Sequence, residues 1–298
     1  MPARNVHRLM IGTANFGAHY GIGNGGKRVS IEEIAKIVKF AKYAGALGFD
    51  TATAYGESEE ILGQMGVQES KIITKIPAFA SDCRDHDQVC SSTVNQTLEK
   101  LKISRLHGVL LHRPEQLFSK SGSDIYDAMA KLKADGFTEL IGCSVYDVAE
   151  LKEIHQNFGF DIYQIPYNVL DRRFSENGVM KQLSSEGIKV YARSIFLQGL
   201  LLLDRKDRPS WLETHSKALN EWDNFVHDSG RPAIELCLDF VFQNPNLTGV
   251  VVGVDSVSQL KEIYEYVNMP SVDFGFTPSQ IDQVLCDPRR WKKLDAQV

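Results

Sequence analysis

Short apolar runs alternate with amphipathic segments along almost the whole chain. The apolar runs carry few alternating polar positions, which is typical of parallel strands that are buried on both faces. Eight such runs predict strands at residues 9–12, 48–50, 71–75, 108–112, 140–143, 162–165, 188–191 and 248–253.

Helical periodicity fills the segments between these strands. Ser30 followed by Glu33 is typical of a capping box, and Ile34, Ile37 and Val38 then fall on one helical face. Further helices are predicted at residues 57–66, 87–102, 123–135, 147–158, 176–186, 232–242, 256–266 and 279–285.

Eight strand–helix units favour an α/β fold of the closed (β/α)₈ barrel type over an open doubly wound sheet. No break in composition marks a linker, so a single domain over residues 1–298 is predicted. It would carry an insertion after the seventh strand (about 197–229) and a C-terminal helical tail (about 277–298).

Composition and charge are those of an ordinary globular protein, with 43% hydrophobic residues, 24% charged residues and a formal net charge of −5. This charge offers no basic surface to nucleic acid or to an anionic membrane. The five cysteines form no CxxC pair, which favours a reducing compartment and argues against a disulfide frame or a zinc site. With no apolar run near 20 residues and no signal-peptide core, we expect a cytoplasmic monomer or homodimer.

Four ionisable residues stand at or just beyond the ends of three predicted strands. Asp50 ends the second strand, Tyr55 lies in the loop beyond it, Lys75 ends the third strand and His112 ends the fourth. Barrel enzymes place their chemistry at this end of the strands, so one shared site is predicted. Taken singly, each residue also has a structural interpretation, as a turn cap, a solvated lysine or a core histidine. Jointly that interpretation is weaker, because a buried lysine is costly without a partner such as Asp50.

The combination suits proton donation to a carbonyl oxygen. A phenol has an ordinary pKa of about 10, too high for easy donation near neutral pH. An ammonium held by a carboxylate would lower the pKa of Tyr55, and a neutral His112 would orient the carbonyl. Tyr55 could then protonate the oxygen while a hydride arrives at the carbon.

The segments that carry these residues resemble the aldo-keto reductases over nearly the whole chain. The matching segments are Asp50 to Gly63, Ile72 to Lys75, Leu110 to Pro114, Gly142 to Ser144, Gln164 and Val190 to Leu201. The resemblance implies a (β/α)₈ barrel that binds NADPH, with NADH as the alternative, and a tetrad of Asp50, Tyr55, Lys75 and His112 in which Tyr55 is the general acid. It assigns to the cofactor Gly12, Thr13, Asp50, Ser144, Gln164, Arg193, Ser194, Phe196, Gly199, Gly253, Val254, Gln259 and Glu262.

The chain departs from this family's pattern around the cofactor. Arg193 stands where the family has an aromatic ring on the nicotinamide, although a guanidinium plane can also stack. Val145 replaces an asparagine, which removes one contact to the carboxamide. Gly253 and Gln259 replace basic residues that hold the 2′-phosphate of NADP, and Asp255 adds a negative charge nearby. We therefore expect use of NADPH with weak discrimination against NADH.

Residues on the loops beyond the strands are predicted to bind a small carbonyl substrate. The candidates are Tyr20, Arg113, Tyr146, Tyr167 and Trp211. Four arginines lie on these loops, more than a neutral aldehyde needs: Arg113, Arg172, Arg173 and Arg193. One hypothesis is an anionic or sugar-type substrate, and the other is that two or more of these arginines pair with local acids such as Asp171.

The glycine-rich segment at residues 21–28 satisfies GxGxxG and nearly satisfies the P-loop pattern. Arg28 stands where a P-loop needs a hydroxyl for Mg²⁺, and Gly21 does not directly follow the strand that ends at Gly12. A mobile loop at the rim of the substrate pocket is the favoured interpretation.

The preferred function is a reversible NAD(P)H-dependent carbonyl reductase that has no metal. One alternative is a cofactor-binding regulatory or interaction subunit, because potassium-channel β subunits resemble the same family. A metal-dependent barrel hydrolase is disfavoured, because the sequence contains no HxH pair.

Overall fold

The computed structural model describes residues 5–271, 274–280 and 282–291, and its centre is a closed barrel of eight parallel strands. The strands pair in chain order, and the last pairs with the first, with Leu9 opposite Val250. The predicted (β/α)₈ barrel is confirmed. The strands are β1 (Leu9–Gly12), β2 (Gly48–Asp50), β3 (Lys71–Ile76), β4 (Leu106–Leu111), β5 (Thr138–Ser144), β6 (Ile162–Pro166), β7 (Lys189–Arg193) and β8 (Gly249–Gly253).

Helices alternate with the strands and surround the barrel. The first long helix begins as its sequence predicts, because the Ser30 side chain accepts a hydrogen bond from the backbone N–H of Glu33 at 3.3 Å. The helices are α1 (Ala14–Gly17), α2 (Ile31–Tyr43), α3 (Ser58–Gln64), α4 (His86–Leu101), α5 (Gly122–Ala134), α6 (Val148–Asn157), α7 (Arg173–Glu176), α8 (Val179–Ser185), α9 (Ser216–Ser229), α10 (Ala233–Phe242) and α11 (Val257–Asn268).

Apolar side chains bury the strands on both faces. One cluster lies between the strands and the helices, and a smaller second cluster is formed by residues of the strands themselves. The second cluster consists of Met10, Ile73, Leu110, Ile162, Tyr191 and Val251. Burial on both faces explains why the strands appear in the sequence as near-continuous apolar runs. In the described ranges, no helix is both long enough and apolar enough to cross a membrane.

Two predicted helices differ from the structure. The helix predicted over residues 176–186 begins later, at Val179, because the preceding Gly178 has a φ of 72° and separates it from α7, which ends at Glu176. The helix predicted over residues 279–285 is wrong for the residues described there, which form bends and turns; residue 281 lies outside the described residues. The Asp282 carboxylate accepts hydrogen bonds from the backbone N–H groups of Val284 and Leu285, which closes a turn instead of extending a helix.

The segment that follows β7 packs against the C-terminal segment. It consists of short 3₁₀ turns within residues 197–215 followed by α9. Trp211 and Trp291 pack with their ring centroids 5.4 Å apart, and His215 Nδ1 lies 2.6 Å from an Asp282 oxygen. These contacts hold the C-terminal segment near the ends of the strands that carry the polar residues.

At Gly142 of β5, the neighbouring strand β6 approaches too closely to leave room for a side chain. A Cβ atom at this position would lie 1.8 Å from the carbonyl oxygen of its β6 partner Ile162. We expect Gly142→Ala to lower the free energy of unfolding by about 3 kcal/mol or more, measured by urea denaturation. Gly275→Ala is the control, because a Cβ there meets no atom within 4 Å. A Gly142→Ala protein as stable as the control would contradict this account of strand packing.

Candidate active site

A buried ion pair joins the ends of β2 and β3. The Lys75 ammonium donates to both Asp50 carboxylate oxygens, at 2.8 and 2.7 Å, and to the backbone oxygen of Thr51 at 2.9 Å. The side chains of Lys75 and Asp50 are only 1% and 5% exposed. All three ammonium protons are therefore hydrogen-bonded, which offsets much of the free-energy cost of burying the charge.

Tyr55 and His112 lie beside this ion pair in one pocket. The Lys75 Nζ atom is 5.3 Å from the centroid of the Tyr55 ring. The rings of Tyr55 and His112 meet edge to face, with centroids 6.2 Å apart. All four side chains line the same cavity, so the barrel brings together residues that are up to 62 positions apart in the chain (112 − 50).

The electrostatics of Tyr55 differ from the sequence-based prediction. Burial raises the pKa of Tyr55 well above that of a free phenol, the Asp50 carboxylate raises it further, and the Arg193 guanidinium opposes the shift. The sequence predicts that Lys75 lowers this pKa, but Asp50 lies within 3 Å of the ammonium and offsets much of its charge. Tyr55 consequently keeps its proton at neutral pH and is available as a proton donor.

His112 is held in its neutral form. Burial lowers the pKa of His112 to about 4, and the positive charges of Lys75, Arg193 and Arg113 contribute to the shift. A neutral imidazole can both donate and accept a hydrogen bond. Burial also lowers the pKa of Lys75, although Asp50 acts in the opposite direction.

A second polar group in the pocket lies at the ends of β5 and β6. The Gln164 amide donates to Asp50 Oδ1 at 2.7 Å, which fixes its orientation because a carboxylate only accepts. Its Oε1 atom is buried and has no hydrogen-bond partner among the described residues. The Ser144 hydroxyl lines the same pocket and accepts from Arg193 Nε at 3.2 Å. An unused acceptor and a hydroxyl donor fit the carboxamide of a nicotinamide ring.

The loop that follows β7 contributes backbone groups with unusual geometry. Ser194, Leu197 and Gln198 all have positive φ, between 49° and 58°, and Gly199 has a φ of 90°. The Gln198 carbonyl accepts hydrogen bonds from the N–H groups of Ile22 and Gly23. The glycine-rich segment therefore lies against the β7 loop at the pocket, which agrees with its predicted position at the rim.

Asp255 lies in the pocket wall after β8. Its Oδ1 atom accepts hydrogen bonds from the side chains of Asn15 at 2.8 Å and Asn24 at 2.5 Å. Its backbone N–H donates to Gln259 at 2.8 Å. Within the described chain, no lysine or arginine forms an ion pair with Asp255, so no cation offsets its charge.

The pocket includes most, though not all, of the residues predicted to bind a cofactor. Those that line it are Gly12, Thr13, Asp50, Ser144, Gln164, Arg193, Ser194, Phe196, Gly199, Gly253 and Gln259. Val254 and Glu262 are not part of the lining, and Val254 is completely buried.

The residues predicted to bind substrate divide into two groups. Tyr20 and Tyr146 line the pocket. Arg113, Tyr167 and Trp211 do not line it: Arg113 is exposed, Tyr167 stacks on Phe240 with ring centroids 4.9 Å apart, and Trp211 packs on Trp291. Sequence position after a strand does not distinguish a side chain that faces the pocket from one that packs against a helix.

Several lining residues were missed at the sequence level. They are Ala14, Asn15, Ile195, Gln198, Leu202 and Val251, whereas Gly21, Gly23 and Asn24 belong to the glycine-rich segment that was predicted at the rim. Asn15 follows β1, as other candidates follow their strands, so the same strand-end rule could have identified it. Gln198 approaches the pocket through the folding of its loop, which leaves no signal in residue type.

Three of the four arginines are accounted for outside the pocket. Arg173 forms a two-bond ion pair with Asp171, each bond 2.8 Å long. Arg172 donates to the backbone oxygen of Phe276. Arg113 lies 3.5 Å from Glu115, and only Arg193 of the four lines the described pocket. The number of arginines therefore gives no support to an anionic substrate.

Comparison with known proteins identifies relatives over most of the chain. A family model described as the Aldo/keto reductase family matches residues 8–283. Glyoxal reductase of Bacillus subtilis (strain 168) is 28% identical over 200 residues, which are 64% of this chain and 69% of that protein. L-galactose dehydrogenase of Arabidopsis thaliana is 24% identical over 281 residues, which are 85% of this chain and 83% of that protein.

Two further similarities extend over nearly the whole chain. A protein of Arabidopsis thaliana whose name assigns it to the beta subunits of voltage-gated potassium channels is 23% identical, over 93% of this chain and 92% of that protein. The holo form of an aldo-keto reductase from Bacillus halodurans superposes with a TM-score of 0.69 at 19% identity, over 96% of this chain and 91% of that chain. At this level of identity the structural likeness establishes the fold alone.

The neutral state of His112 makes a prediction about acid stability. Its pKa is about 4 in the fold against an ordinary value near 6.5, so the unfolded chain binds the proton first as the pH falls through this window. We expect His112 to reduce the free energy of unfolding by about 2 kcal/mol between pH 7.5 and pH 4.5. Urea unfolding of the wild type and His112→Asn at both pH values measures this, and equal pH dependence in the two proteins would contradict it.

Proposed function

This chain belongs to the aldo/keto reductase family, and we propose that it reversibly reduces an aldehyde or ketone to the alcohol with a nicotinamide cofactor. The observation that carries the proposal is the Lys75–Asp50 ion pair beside a protonated Tyr55 and a neutral His112 in one pocket. Residues in these protonation states can deliver a proton to a carbonyl oxygen and bind that oxygen at the same time.

Each side chain has a separate part in the reduction. A nicotinamide cofactor held in this pocket would supply a hydride, with its two electrons, to the carbonyl carbon. Tyr55 transfers its phenolic proton to the carbonyl oxygen, and solvent returns a proton to the resulting phenolate. Lys75 stabilises that phenolate by its charge, Asp50 holds Lys75 in place, and His112 orients the carbonyl by a hydrogen bond.

The proposed cofactor is NADPH, with weak discrimination against NADH. Gln164 and Ser144 would hold the carboxamide, through the unused acceptor and the hydroxyl described above. A carboxylate at Asp255 repels the 2′-phosphate of NADPH and can accept a hydrogen bond from the free 2′-hydroxyl of NADH. Both effects favour NADH, and they therefore argue against a strong preference for NADPH.

The proposed substrate is a hydroxylated, sugar-type carbonyl compound. Tyr20, Tyr146, Asn24 and Gln198 give the pocket many neutral hydrogen-bonding groups, which suit hydroxyl groups better than a hydrocarbon chain. The name of the L-galactose dehydrogenase relative supports a sugar, and that of glyoxal reductase supports a small polar aldehyde. An anionic substrate has less support, because Arg193 is the one arginine of the described pocket lining.

A regulatory or interaction subunit with little turnover is the second candidate. It is favoured by one observation, the similarity to a potassium-channel beta subunit over 93% of this chain. The two candidates share the fold and the cofactor, so only turnover separates them.

Tyr55→Phe tests the enzymatic proposal. Removing the phenolic proton donor should lower kcat for carbonyl reduction by about 10²–10⁴-fold and leave cofactor binding intact. Oxidation of NADPH and NADH is followed by absorbance across a panel of sugar aldehydes, small dialdehydes and phosphorylated sugars. Tyr43→Phe is the matched control, because Tyr43 is 90% exposed on α2. Full activity in Tyr55→Phe would overturn the mechanism, and no turnover in the wild type would favour the regulatory candidate.

Asp255→Asn tests the proposed cofactor preference. Removing one negative charge should increase the affinity for NADPH relative to NADH by about 3–10-fold, because the 2′-phosphate is no longer repelled. Fluorescence titration of both reduced cofactors gives the two Kd values for the wild type and the variant. A hundredfold preference of the wild type for NADPH would contradict weak discrimination.

A further inference from the structure

Arg193 places a positive charge without a carboxylate partner in the wall of the pocket. The side chain is half-buried at the end of β7 and lines the cavity. Its guanidinium donates to three neutral oxygens, Ser144 Oγ at 3.2 Å, Val145 O at 3.1 Å and Ser194 Oγ at 3.4 Å. Within residues 5–271, 274–280 and 282–291, no acidic side chain forms an ion pair with it. Hydrogen bonds to these oxygens orient the charge without cancelling it.

The position of Arg193 is fixed by a stack of three side chains. Its guanidinium carbon lies 3.8 Å from the centroid of the Tyr146 ring, and that of Arg289 lies 3.5 Å from the same centroid. At such short distances the two guanidinium groups must occupy opposite faces of the ring. Arg289 is paired with Asp287 by two bonds of 2.8 and 2.9 Å, so its charge is offset, whereas that of Arg193 is not.

Arg193 and the four polar side chains around Tyr55 together carry one net positive charge, apart from the Asp255 carboxylate that lies after β8. Lys75 and Asp50 offset each other, and His112 and Tyr55 are neutral near pH 7. The remaining charge belongs to Arg193. Arg193 lines the same cavity as Tyr55, Lys75 and His112, so its charge faces the space in which the reaction would occur.

The carboxamide site lies directly beside this charge. Ser144, one of the two groups that fit a nicotinamide carboxamide, is hydrogen-bonded to Arg193 itself. A ring held by Ser144 and Gln164 would thus lie close to the guanidinium. The oxidised nicotinamide ring carries a positive charge and the reduced ring is neutral, so only the oxidised form is repelled.

We propose that Arg193 makes the pocket select the reduced nicotinamide cofactor over the oxidised one by electrostatic repulsion of the oxidised ring. This inference rests on the proposed function, since it requires that the pocket binds a nicotinamide cofactor. Repulsion between unit charges in a partly buried site is sufficient for about a 10–100-fold difference between the two Kd values. A neutral aromatic ring at this position would provide stacking without this selection.

This selection has opposite effects on cofactor binding and on the reducing strength of the bound cofactor. In a mixed pool of cofactor the protein fills with the reduced form, and the oxidised product leaves readily after reduction. For a two-electron couple, each tenfold difference in affinity also raises the potential of the bound cofactor by about 30 mV. The selection thus favours reduction through occupancy and release, at some loss of hydride-donating strength.

The inference can be tested by placing a negative charge beside Arg193 while the arginine itself is retained. Ser194→Asp puts a carboxylate next to the guanidinium, and Ser194→Asn is the matched neutral control of nearly the same shape. Ser194 has a φ of 58°, a conformation that Asp and Asn tolerate better than most residues. Calorimetric titration with NADH, NAD⁺, NADPH and NADP⁺ gives the ratio of oxidised to reduced Kd without any need for turnover.

We expect a ratio of at least about 10 in the wild type, and a ratio about tenfold lower in Ser194→Asp than in Ser194→Asn, because these two variants differ in charge and hardly in shape. Arg193→Gln should lower the ratio by a similar factor, and Arg193→Lys, which keeps the charge, should retain most of it. Equal affinity of the wild type for the two redox forms, or a ratio unchanged in both Ser194→Asp and Arg193→Gln, would overturn the inference and leave the proposed function standing. Failure of the wild type to bind any of the four cofactors would instead overturn the proposed function.

Discussion

The buried ion pair between Lys75 and Asp50 is the interaction on which the site depends. An isolated ammonium in this position would be very costly, and three acceptors at less than 3 Å offset that cost. Asp50 in turn accepts from Gln164, so one hydrogen-bonded network connects β2, β3 and β6. Because the charges of the pair offset each other, the protonation state of the neighbouring phenol is controlled by burial, and the charge that remains beside these residues is that of Arg193.

The barrel and the clustering of the four polar residues could be predicted because both follow from local properties of the sequence. A parallel strand buried on both faces appears in the sequence as an apolar run. The residue at the end of the strand can then be identified from where that run ends. Closure of the barrel then brings Asp50, Lys75 and His112 to one edge, and this does not depend on the conformation of the loops. The order of these residues along the chain was therefore sufficient to identify one shared site.

The remainder of the site depends on contacts between distant loops, which residue type does not encode. Asn24 reaches Asp255 across the sequence, and the Gln198 carbonyl receives the segment around Gly23. Arg173 could equally have faced a ligand, but Asp171, two residues away, holds it. The direction of the pKa shift of Tyr55 cannot be predicted from the sequence for a related reason. The effect of a cation on a phenol depends on how closely a counter-ion approaches, and that distance is set by the fold.

The stack of Arg193, Tyr146 and Arg289 gives the pocket an order of assembly. Its first two members belong to the barrel, whereas Arg289 comes from the C-terminal segment, far behind the reactive residues in the chain. At synthesis rates of about 5–20 residues per second, Arg289 leaves the ribosome roughly 10–40 s after Lys75. The nascent chain thus holds its reactive residues well before it holds the complete wall against which a cofactor would lie. The stack can therefore form only after the C-terminal segment has been synthesised and has docked, which makes this wall of the pocket a late product of synthesis.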